Sequence, residues 1–328
     1  MQQRQLAGSS VSAIGLGCMN LNHGYGTSPS PDQGRALLLK ALDLGVTLFD
    51  TAALYGYGAN ETLVGDTLSP YRSQFMLTSK CGLIHENGKR TIDGRPESIR
   101  RTCENSLKRL RTDVIDLYYL HRWDKKVPIE DSVGALADLV TQGKIRHIGL
   151  SEVSASTLHK AHAVHPIAAL QTEYSLWTRN PEIAVLNACK ELGTTFVAFS
   201  PLGRGYLADT LHDIGNLESN DMRRAIPRFS SQIYPANLHL LTGYRQIAAE
   251  VGCTPAQLAL AWLLNKNDSL IPIPGTTKQS HLSDNMAAMS LSLSPDIMQR
   301  LDALINQDTV TGGRYSVTSQ AEVDTEQF

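Results

Sequence analysis

Four side chains in this sequence could together move a proton. They are Asp50, Tyr55, Lys80 and His121. A phenol has a pKa of about 10 and is a weak acid, but a neighbouring ammonium stabilises the phenolate and lowers that pKa. A buried lysine needs a carboxylate to stay charged, and a neutral histidine can donate a hydrogen bond to a carbonyl oxygen. These residue types therefore suit protonation of an oxygen that becomes negative as a carbonyl is reduced.

Eight apolar runs could position these residues as strands of one parallel sheet. Units of helix, glycine and strand recur along the chain: Ser30 and Pro31 begin a predicted helix that ends at Gly45, and an apolar strand follows at once. Apolar strands alternating with amphipathic helices indicate a parallel sheet covered by helices. The predicted strands are 13–17, 46–49, 75–79, 115–120, 145–150, 167–170, 195–199 and 270–273. Eight such units favour a closed (β/α)8 TIM barrel over an open doubly wound sheet.

Two segments depart from this repeat. Residues 1–12, with Gly8 at their centre, predict a β-hairpin that caps one end of the barrel. Residues 202–236 form a long irregular insertion before the last helix–strand pair, and long loops in compact domains are usually functional. Because no linker or low-complexity segment interrupts the pattern, we expect residues 1–328 to form a single domain.

The composition indicates which class of molecule this protein binds. The formal net charge is −2, so no global field favours nucleic acid or anionic lipid, and a small molecule is the expected partner. The five cysteines are scattered without metal-binding spacing, which is typical of reduced thiols in a cytoplasmic protein. No apolar run approaches the roughly 20 residues that a membrane helix needs, so no membrane association is expected. The oligomeric state stays open.

Polar residues end six of the predicted strands. They are Asp50, Lys80, His121, Ser151, Gln171 and Ser200. Each alone has an ordinary explanation, such as a turn cap, a surface lysine or a hydrogen-bonded structural histidine. In a closed barrel, however, the carboxyl ends of the strands meet at one mouth, where the chemistry of such folds is found. The sequence therefore predicts that these side chains converge.

Seven stretches of the sequence have the order and residue pattern of a known family. They are FDTAALYGYGANETLVG around Asp50 and Tyr55, TSKCG at Lys80, YYLHR at His121, and then GKIRHIGLSE, LQTEYSL, FSPLGRG and IPGTTKQSHLSDN. Together they resemble the aldo-keto reductases over nearly the whole chain, in the branch that includes the perakine and pyridoxal reductases. The resemblance implies a barrel that binds NADPH in extended form at the strand ends, without a Rossmann domain, and NADH is left open as an alternative.

The resemblance also implies a role for each of the four residues. Tyr55 would be the general acid, Lys80 would lower the pKa of Tyr55, and Asp50 would pair with Lys80. His121 would orient the carbonyl group. Hydride would pass from the nicotinamide to the carbonyl carbon.

Further residues are expected at the cofactor. Cys18 and Met19 follow the first strand and are expected near the nicotinamide, and the resemblance adds Ser151, Glu152, Gln171 and Phe199. The same resemblance implies a pyrophosphate site formed by Ser200, Pro201, Leu202, Gly203, Arg204 and Gly205. It implies an adenosine and 2′-phosphate site formed by Gly275, Thr276, Thr277, Lys278, His281, Asp284 and Asn285.

Three positions depart from the family pattern. Ala53 replaces a common acidic residue, and Glu152 replaces a common Asn. A carboxylate can accept a hydrogen bond from the carboxamide NH2 but cannot donate one to its oxygen, and its charge favours the oxidised ring. His281 stands where a basic residue is frequent, so Lys278 is the one clear cation for a 2′-phosphate.

Two other patterns in the sequence have simpler explanations than the binding sites they suggest. The residues GLGCMN, at 15–20, begin like the glycine-rich fingerprint of a Rossmann fold, but the fingerprint's last position is Asn20 and no helix can follow it. A Rossmann site is therefore not expected here. His159, His162 and His165 fan across a helix without a carboxylate, so no metal is expected.

Two groups of side chains in loops have functional interpretations. Aromatic residues that follow strand ends are expected to line a substrate pocket: Tyr25, Tyr57, Trp123 and Trp177. Arginines in the insertion could form a flap over the pyrophosphate or an ordinary solvated loop: Arg204, Arg223, Arg224 and Arg228.

The leading hypothesis is an NAD(P)H-dependent oxidoreductase that reduces aldehydes, with ketones as a second class. Two alternatives come from other classes. One is a nucleotide-binding regulatory subunit of a channel, which would turn over negligibly. The other is a lyase that forms a Schiff base through Lys80, which an ion-paired lysine disfavours because it is a poor nucleophile.

Overall fold

Eight parallel strands form a barrel whose first and last strands meet. The computed structural model describes residues 2–86 and 88–328. The barrel strands are β3 (Leu16–Gly17), β4 (Leu48–Asp50), β5 (Met76–Cys81), β8 (Ile115–Leu120), β9 (Ile145–Ser151), β10 (Ile167–Glu173), β11 (Thr195–Phe199) and β12 (Leu270–Pro272), paired in that order. Gly15 N and Gly17 N donate to Pro272 O and Pro274 O at 3.0 and 3.2 Å, which joins β12 to β3. The predicted (β/α)8 TIM barrel is confirmed.

The strand bounds differ from the apolar runs at several places. β3 is only Leu16–Gly17, shorter than the predicted 13–17. β10 continues three polar residues beyond the predicted 167–170, because Glu173 still pairs with Phe199 of β11. In a closed barrel each strand has a neighbour on both sides, so its backbone hydrogen bonds can continue into residues whose side chains are polar. The strand ends are therefore the point where polar groups enter the site.

Helices cover the outside of the barrel and its rim. They are α1 (Pro31–Asp43), α2 (Ala59–Leu68), α3 (Pro96–Leu110), α4 (Ile129–Thr141), α5 (Ala155–Val164), α6 (Val185–Leu192), α7 (Tyr234–Leu238), α8 (Leu240–Val251), α9 (Pro255–Lys266), α10 (Gln279–Ala287), α11 (Pro295–Leu304) and α12 (Val317–Ala321). The predicted capping box at Ser30 is present, since Ser30 Oγ accepts from Gln33 N at 3.3 Å and Gln33 Oε1 accepts from Ser30 N at 2.9 Å.

A β-hairpin closes the amino-terminal end of the barrel, as predicted. Its strands are β1 (Gln3–Leu6) and β2 (Ser9–Ser12), joined by Ala7 and Gly8 with φ of 52° and 75°, the left-handed pair that a tight hairpin turn requires. Leu6 and Val11 are buried in one cluster with the inward-facing side chains of the barrel. The hairpin therefore fills the barrel floor.

Three further segments surround the opposite end of the barrel. A second hairpin, β6 (Leu83–Glu86) and β7 (Lys89–Ile92), follows β5 and was not predicted, because its strands lack a continuous apolar run. The predicted insertion 202–236 contains short 3-10 turns and begins α7. The C-terminal segment, residues 306–328, returns across the same rim.

Among the described helices, none is by itself long and apolar enough to cross a bilayer. Only the pair Tyr234–Val251 and Pro255–Lys266, bent by 80°, reaches the necessary length and composition.

Leu6 gives a test of the barrel floor. Leu6→Ala removes a fully buried side chain and should lower the free energy of unfolding by about 2–5 kcal/mol, because the rigid barrel interior leaves a cavity. Denaturant titration measures this. Leu39→Ala, on a side chain 37% exposed on α1, is the matched control and should cost much less. Equal losses in the two variants would contradict the assigned role of the hairpin.

Candidate active site

A buried ion pair lies at the carboxyl ends of two adjacent strands. Asp50 ends β4 and Lys80 lies near the end of β5, and the side chain of Lys80 is fully buried. Lys80 Nζ contacts Asp50 Oδ1 and donates to Thr51 O at 2.9 Å and to Tyr55 Oη at 3.4 Å. All three ammonium protons therefore have acceptors, which a charge removed from water requires.

Side chains from β5 and β10 hold the second oxygen of Asp50. Thr78 Oγ1 and Gln171 Nε2 donate to Asp50 Oδ2 at 2.6 and 2.9 Å. Gln171, expected to hold a carboxamide, lines the cavity and directs its amide nitrogen to Asp50. Sequence reasoning missed Thr78, whose only signal is a hydroxyl within an apolar run. Asp50 thus has a fixed orientation before any ligand binds.

The electrostatics of the pair keep Lys80 charged. Burial alone would lower the pKa of Lys80, but Asp50 and Tyr55 together outweigh burial and raise that pKa above its ordinary value. Burial raises the pKa of Tyr55, and the nearby charge of Lys80 offsets this only in part. The expectation that Lys80 lowers the pKa of Tyr55 therefore holds for its separate effect, while the net shift is upward. Tyr55 carries its proton at neutral pH.

His121 faces the same phenol and is neutral. It follows β8, and its ring meets the ring of Tyr55 edge-on, with centroids 5.7 Å apart. Burial, followed by the charges of Arg122 and Lys80, holds the pKa of His121 well below its ordinary range. Its Nδ1 is buried without a hydrogen-bond partner among the described residues. A neutral imidazole of this kind can donate one hydrogen bond to a carbonyl oxygen.

The turn after β4 brings Tyr55 back over the barrel mouth. Gly56, Tyr57 and Gly58 have φ of 54°, 55° and 99°, so the chain reverses through left-handed conformations. Asn60 fixes the turn, since it accepts from Thr51 Oγ1 at 2.6 Å and donates to Cys18 O at 2.8 Å. The backbone N–H of Ala53 donates to Lys80 O at 3.2 Å. The Asp50–Tyr55 spacing is therefore a consequence of this turn.

A cavity of about 600 Å³ runs from Tyr55 to the amino-terminal part of α10. Most residues predicted at the site line it: Met19, Tyr25, Asp50, Tyr55, His121, Ser151, Gln171, Phe199, Ser200, Pro201, Leu202, Arg204, Gly205, Gly275, Thr276, His281, Asp284 and Asn285. Nine other predicted residues are not part of that lining: Cys18, Tyr57, Lys80, Trp123, Glu152, Trp177, Gly203, Thr277 and Lys278. Of these, Lys80 lies buried behind Tyr55.

Three of the four aromatic residues expected in the substrate pocket lie elsewhere. Tyr57 is 64% exposed and stacks on His85, with ring centroids 4.0 Å apart. Trp123 donates through Nε1 to Val127 O at 2.9 Å. Trp177 is buried and stacks on Tyr206 at 4.1 Å. Only Tyr25 lines the cavity.

Glu152 is directed away from the cavity, into a buried ion network. Arg314 Nη1 and Nη2 donate to the two Glu152 oxygens at 3.1 and 2.7 Å, and Arg204 Nη2 donates to Glu173 at 2.8 Å. Burial alone would raise the pKa of Glu152, but Arg314 and Arg122 outweigh it and lower that pKa. The expected contact between Glu152 and a carboxamide is thus replaced by an anchor for the C-terminal segment. No sequence signal connects residues 162 positions apart.

The arginines of the insertion are mostly used in internal contacts. Arg223 pairs with Asp221 at 2.6 Å, and Arg224 donates to Leu217 O at 3.0 Å. Arg228 contacts Trp177 O and donates to Gly312 O at 2.9 Å. These contacts pack the insertion against the strand ends and the C-terminal segment.

The residues predicted at the adenosine end of the site differ in their exposure to solvent. Thr277 and Lys278 are exposed just before α10, whereas Asn285 is buried. Asp284 accepts from Thr254 Oγ1 at 2.9 Å and from Gln257 Nε2 at 2.8 Å, so it joins α10 to the start of α9.

Several cavity-lining residues were missed from the sequence. They are Asn20, His23, Leu54, Arg90, Arg122, Tyr315, Ser319 and Glu322. Arg122 had a signal, because it directly follows His121. The last three come from the C-terminal segment, whose position no local pattern predicts.

Comparison with known proteins supports the family resemblance. The family model for the Aldo/keto reductase family matches residues 13–306. The chain is 41% identical over 310 residues to probable aldo-keto reductase 1 of Glycine max, covering 94% of this chain and 89% of that protein.

Two solved structures are also similar to this chain. The glycerol dehydrogenase of Gluconobacter oxydans is similar with a TM-score of 0.84 and 28% identity, covering 92% of this chain and 94% of that one. An aldo-keto reductase of Bacillus halodurans, in its holo form, is similar with a TM-score of 0.78 and 27% identity, covering 93% and 97% of the two chains.

The Glu152–Arg314 pair predicts a large stability effect. Arg314→Met leaves a buried carboxylate without its partner and should lower the free energy of unfolding by about 3–5 kcal/mol. Adding Glu152→Gln should recover part of that loss, because no unpaired charge then remains buried. Denaturant titration of both variants measures this.

Arg100→Met, which breaks an exposed pair with Asp138, is the matched control and should have little effect. If Arg314→Met proves as mild as this control, the ion network is not an anchor.

Proposed function

This chain belongs to the aldo-keto reductase family, and we propose from that premise that it reduces aldehydes, and ketones as a second class, to alcohols with NADPH. One observation carries the proposal. The phenol of Tyr55 lies between the buried ammonium of Lys80 and the neutral ring of His121 and lines the cavity. A proton donor, a cation that stabilises the resulting anion and a neutral hydrogen-bond donor are the groups that carbonyl reduction needs.

The residues along the cavity fit an extended dinucleotide. Gly275 lines the cavity where a larger residue would not fit, since a Cβ there would lie 2.5 Å from Asn20 Oδ1 and 3.0 Å from Gly17 O. Ser200 and Arg204 are held at φ of 48° and 58°, strained conformations that persist where a loop is shaped for a ligand.

Ser151 and Phe199 would hold the nicotinamide, and the loop 200–205 would hold the pyrophosphate. Thr276, His281 and Asn285 would surround the adenosine. When bound, NADPH supplies the hydride that the carbonyl carbon accepts.

The side chains of this protein would supply the proton. His121 would donate a hydrogen bond to the substrate carbonyl oxygen and fix its direction. As that oxygen becomes negative, Tyr55 Oη would give up its proton to it. The resulting phenolate would lie 3.4 Å from Lys80 Nζ, whose charge Asp50 maintains. Each of the four side chains thus has one role in the proposed proton transfer.

The two alternative functions have less support. A Schiff base requires a neutral lysine, whereas Asp50 and Tyr55 raise the pKa of Lys80 and keep its nitrogen bonded. A regulatory subunit with negligible turnover has no need of an aligned proton donor. We therefore propose a reductase in preference to these two alternatives.

Three further properties belong to the same proposal. Lys278 and His281, before and within α10, support NADPH as the preferred cofactor, with NADH as the alternative. Five free cysteines support a cytoplasmic location. The family match over 13–306 supports a single domain for residues 1–328.

Substitution of Tyr55 tests the proposed function. Tyr55→Phe should reduce turnover of benzaldehyde about 10²–10⁴-fold, because the proton donor is lost, and should leave NADPH binding nearly unchanged. Cofactor oxidation gives the first quantity, and fluorescence titration with NADPH and NADH gives the second.

Tyr71→Phe, which alters a partly exposed phenol on the barrel exterior, is the matched control. Full turnover in the Tyr55 variant would refute the mechanism, and tight NADPH binding without turnover in the unmodified protein would favour the regulatory subunit.

A further inference from the structure

Four arginines line the cavity, and three of them already have a carboxylate. Arg90 pairs with Glu322 at 2.6 Å, Arg204 with Glu173 at 2.8 Å and Arg223 with Asp221 at 2.6 Å. The fourth, Arg122, makes no ion pair with any side chain in the described part of the chain. A partly buried guanidinium that lines a cavity and has no carboxylate partner is a potential binding group for an anion.

Arg122 is held at the substrate end of the cavity through one nitrogen. Its Nη1 donates to His121 O at 2.7 Å and to Ser151 Oγ at 3.3 Å. Its Nε and Nη2 donate to none of the residues described in 2–86 and 88–328. These two nitrogens form the side of the guanidinium that binds a carboxylate with two parallel hydrogen bonds.

The charges at this end do not cancel without a ligand. Lys80 is compensated by Asp50, and Arg90 by Glu322. His121 is neutral, because burial and nearby cations lower its pKa. Glu152, whose pKa Arg122 helps to lower, is paired with Arg314. Among the described groups, the positive charge of Arg122 is therefore left without a carboxylate of its own beside the proposed carbonyl site. A ligand with one negative charge is the complementary partner.

We propose that Arg122 binds the carboxylate of the substrate, and that the preferred substrates are carbonyl compounds that carry a carboxylate. This inference rests on the proposed function and deepens it. Arg122 is a specificity-determining residue, because it would contact the substrate away from the reacting carbonyl. Glu322 opposes the preference from the cavity rim, since its charge would repel the same carboxylate.

A pair of substrates of similar shape tests the proposal. 4-Carboxybenzaldehyde and its methyl ester, methyl 4-formylbenzoate, differ in charge at one end. The unmodified protein should show a kcat/KM on the order of 10- to 100-fold higher for the acid, the range expected for hydrogen bonds to a charged group. Arg122→Gln should abolish this ratio. The ratio within one variant cancels any change in the position of His121.

Two further variants test whether charge in the cavity sets the acid-to-ester ratio of kcat/KM. Glu322→Gln should raise the acid-to-ester ratio, because it removes a repelling charge and leaves the positive charge of Arg90 without its carboxylate. Arg146→Gln, on the exterior beside Asp116, is the matched control and should leave the ratio unchanged. An unmodified protein that prefers the ester, or an Arg122 variant that keeps the full ratio, would overturn the proposal.

A binding measurement separates this inference from the proposed function. Benzoate and benzamide are not reduced, and calorimetric titration of each onto the NADPH complex reports the anion site alone. Benzoate should bind more tightly than benzamide to the unmodified protein and to Tyr55→Phe, and equally to Arg122→Gln. If no aldehyde is turned over but benzoate binding follows this pattern, the function fails and the anion site stands. Equal binding of the two in the unmodified protein overturns the site.

Discussion

The site depends on keeping one ammonium charged out of contact with water. A buried lysine costs several kcal/mol of desolvation unless a carboxylate and further acceptors compensate it. In this barrel, Asp50 supplies the carboxylate from the neighbouring strand. Thr78, on the same strand as Lys80, and Gln171, on β10, orient that carboxylate. The parallel register of the sheet brings these groups to the same end. The phenol of Tyr55 then lies 3.4 Å from the charged nitrogen of Lys80.

A second group of buried charges performs a similar function for the loops. Glu152 and Glu173 follow or end adjacent strands and are paired with Arg314 and Arg204, which come from the C-terminal segment and the insertion. Segments without regular structure are thereby fixed to the rigid barrel. This places the walls of the cavity relative to the four central residues. Specificity can change through the loops while the proton-transfer groups keep their geometry.

Much of this arrangement follows from the sequence. Asp50 and Lys80 each end an apolar run, so a closed parallel barrel brings them together without knowledge of any loop. By contrast, Trp177 follows a strand end but turns into the core against Tyr206, and local pattern cannot distinguish these outcomes. Glu152 was expected at the cofactor from its position after Ser151 in the family pattern, and its pairing with Arg314, 162 positions along the chain, has no local signal. Long-range ion pairs of this kind depend on tertiary packing, which sequence spacing does not encode.

The pH dependence of kcat/KM for aldehyde reduction with NADPH tests the central claim most directly. Burial raises the pKa of Tyr55 above its ordinary value of 10.0, and burial with nearby cations lowers the pKa of His121 below 6.5. The proton donor is therefore protonated and the histidine neutral across the range between those values. We predict a profile that is flat across neutral pH and falls only above about pH 10, as Tyr55 loses its proton. A titration step between about pH 6 and 9 would contradict the account, because no group in the proposed mechanism should change charge there.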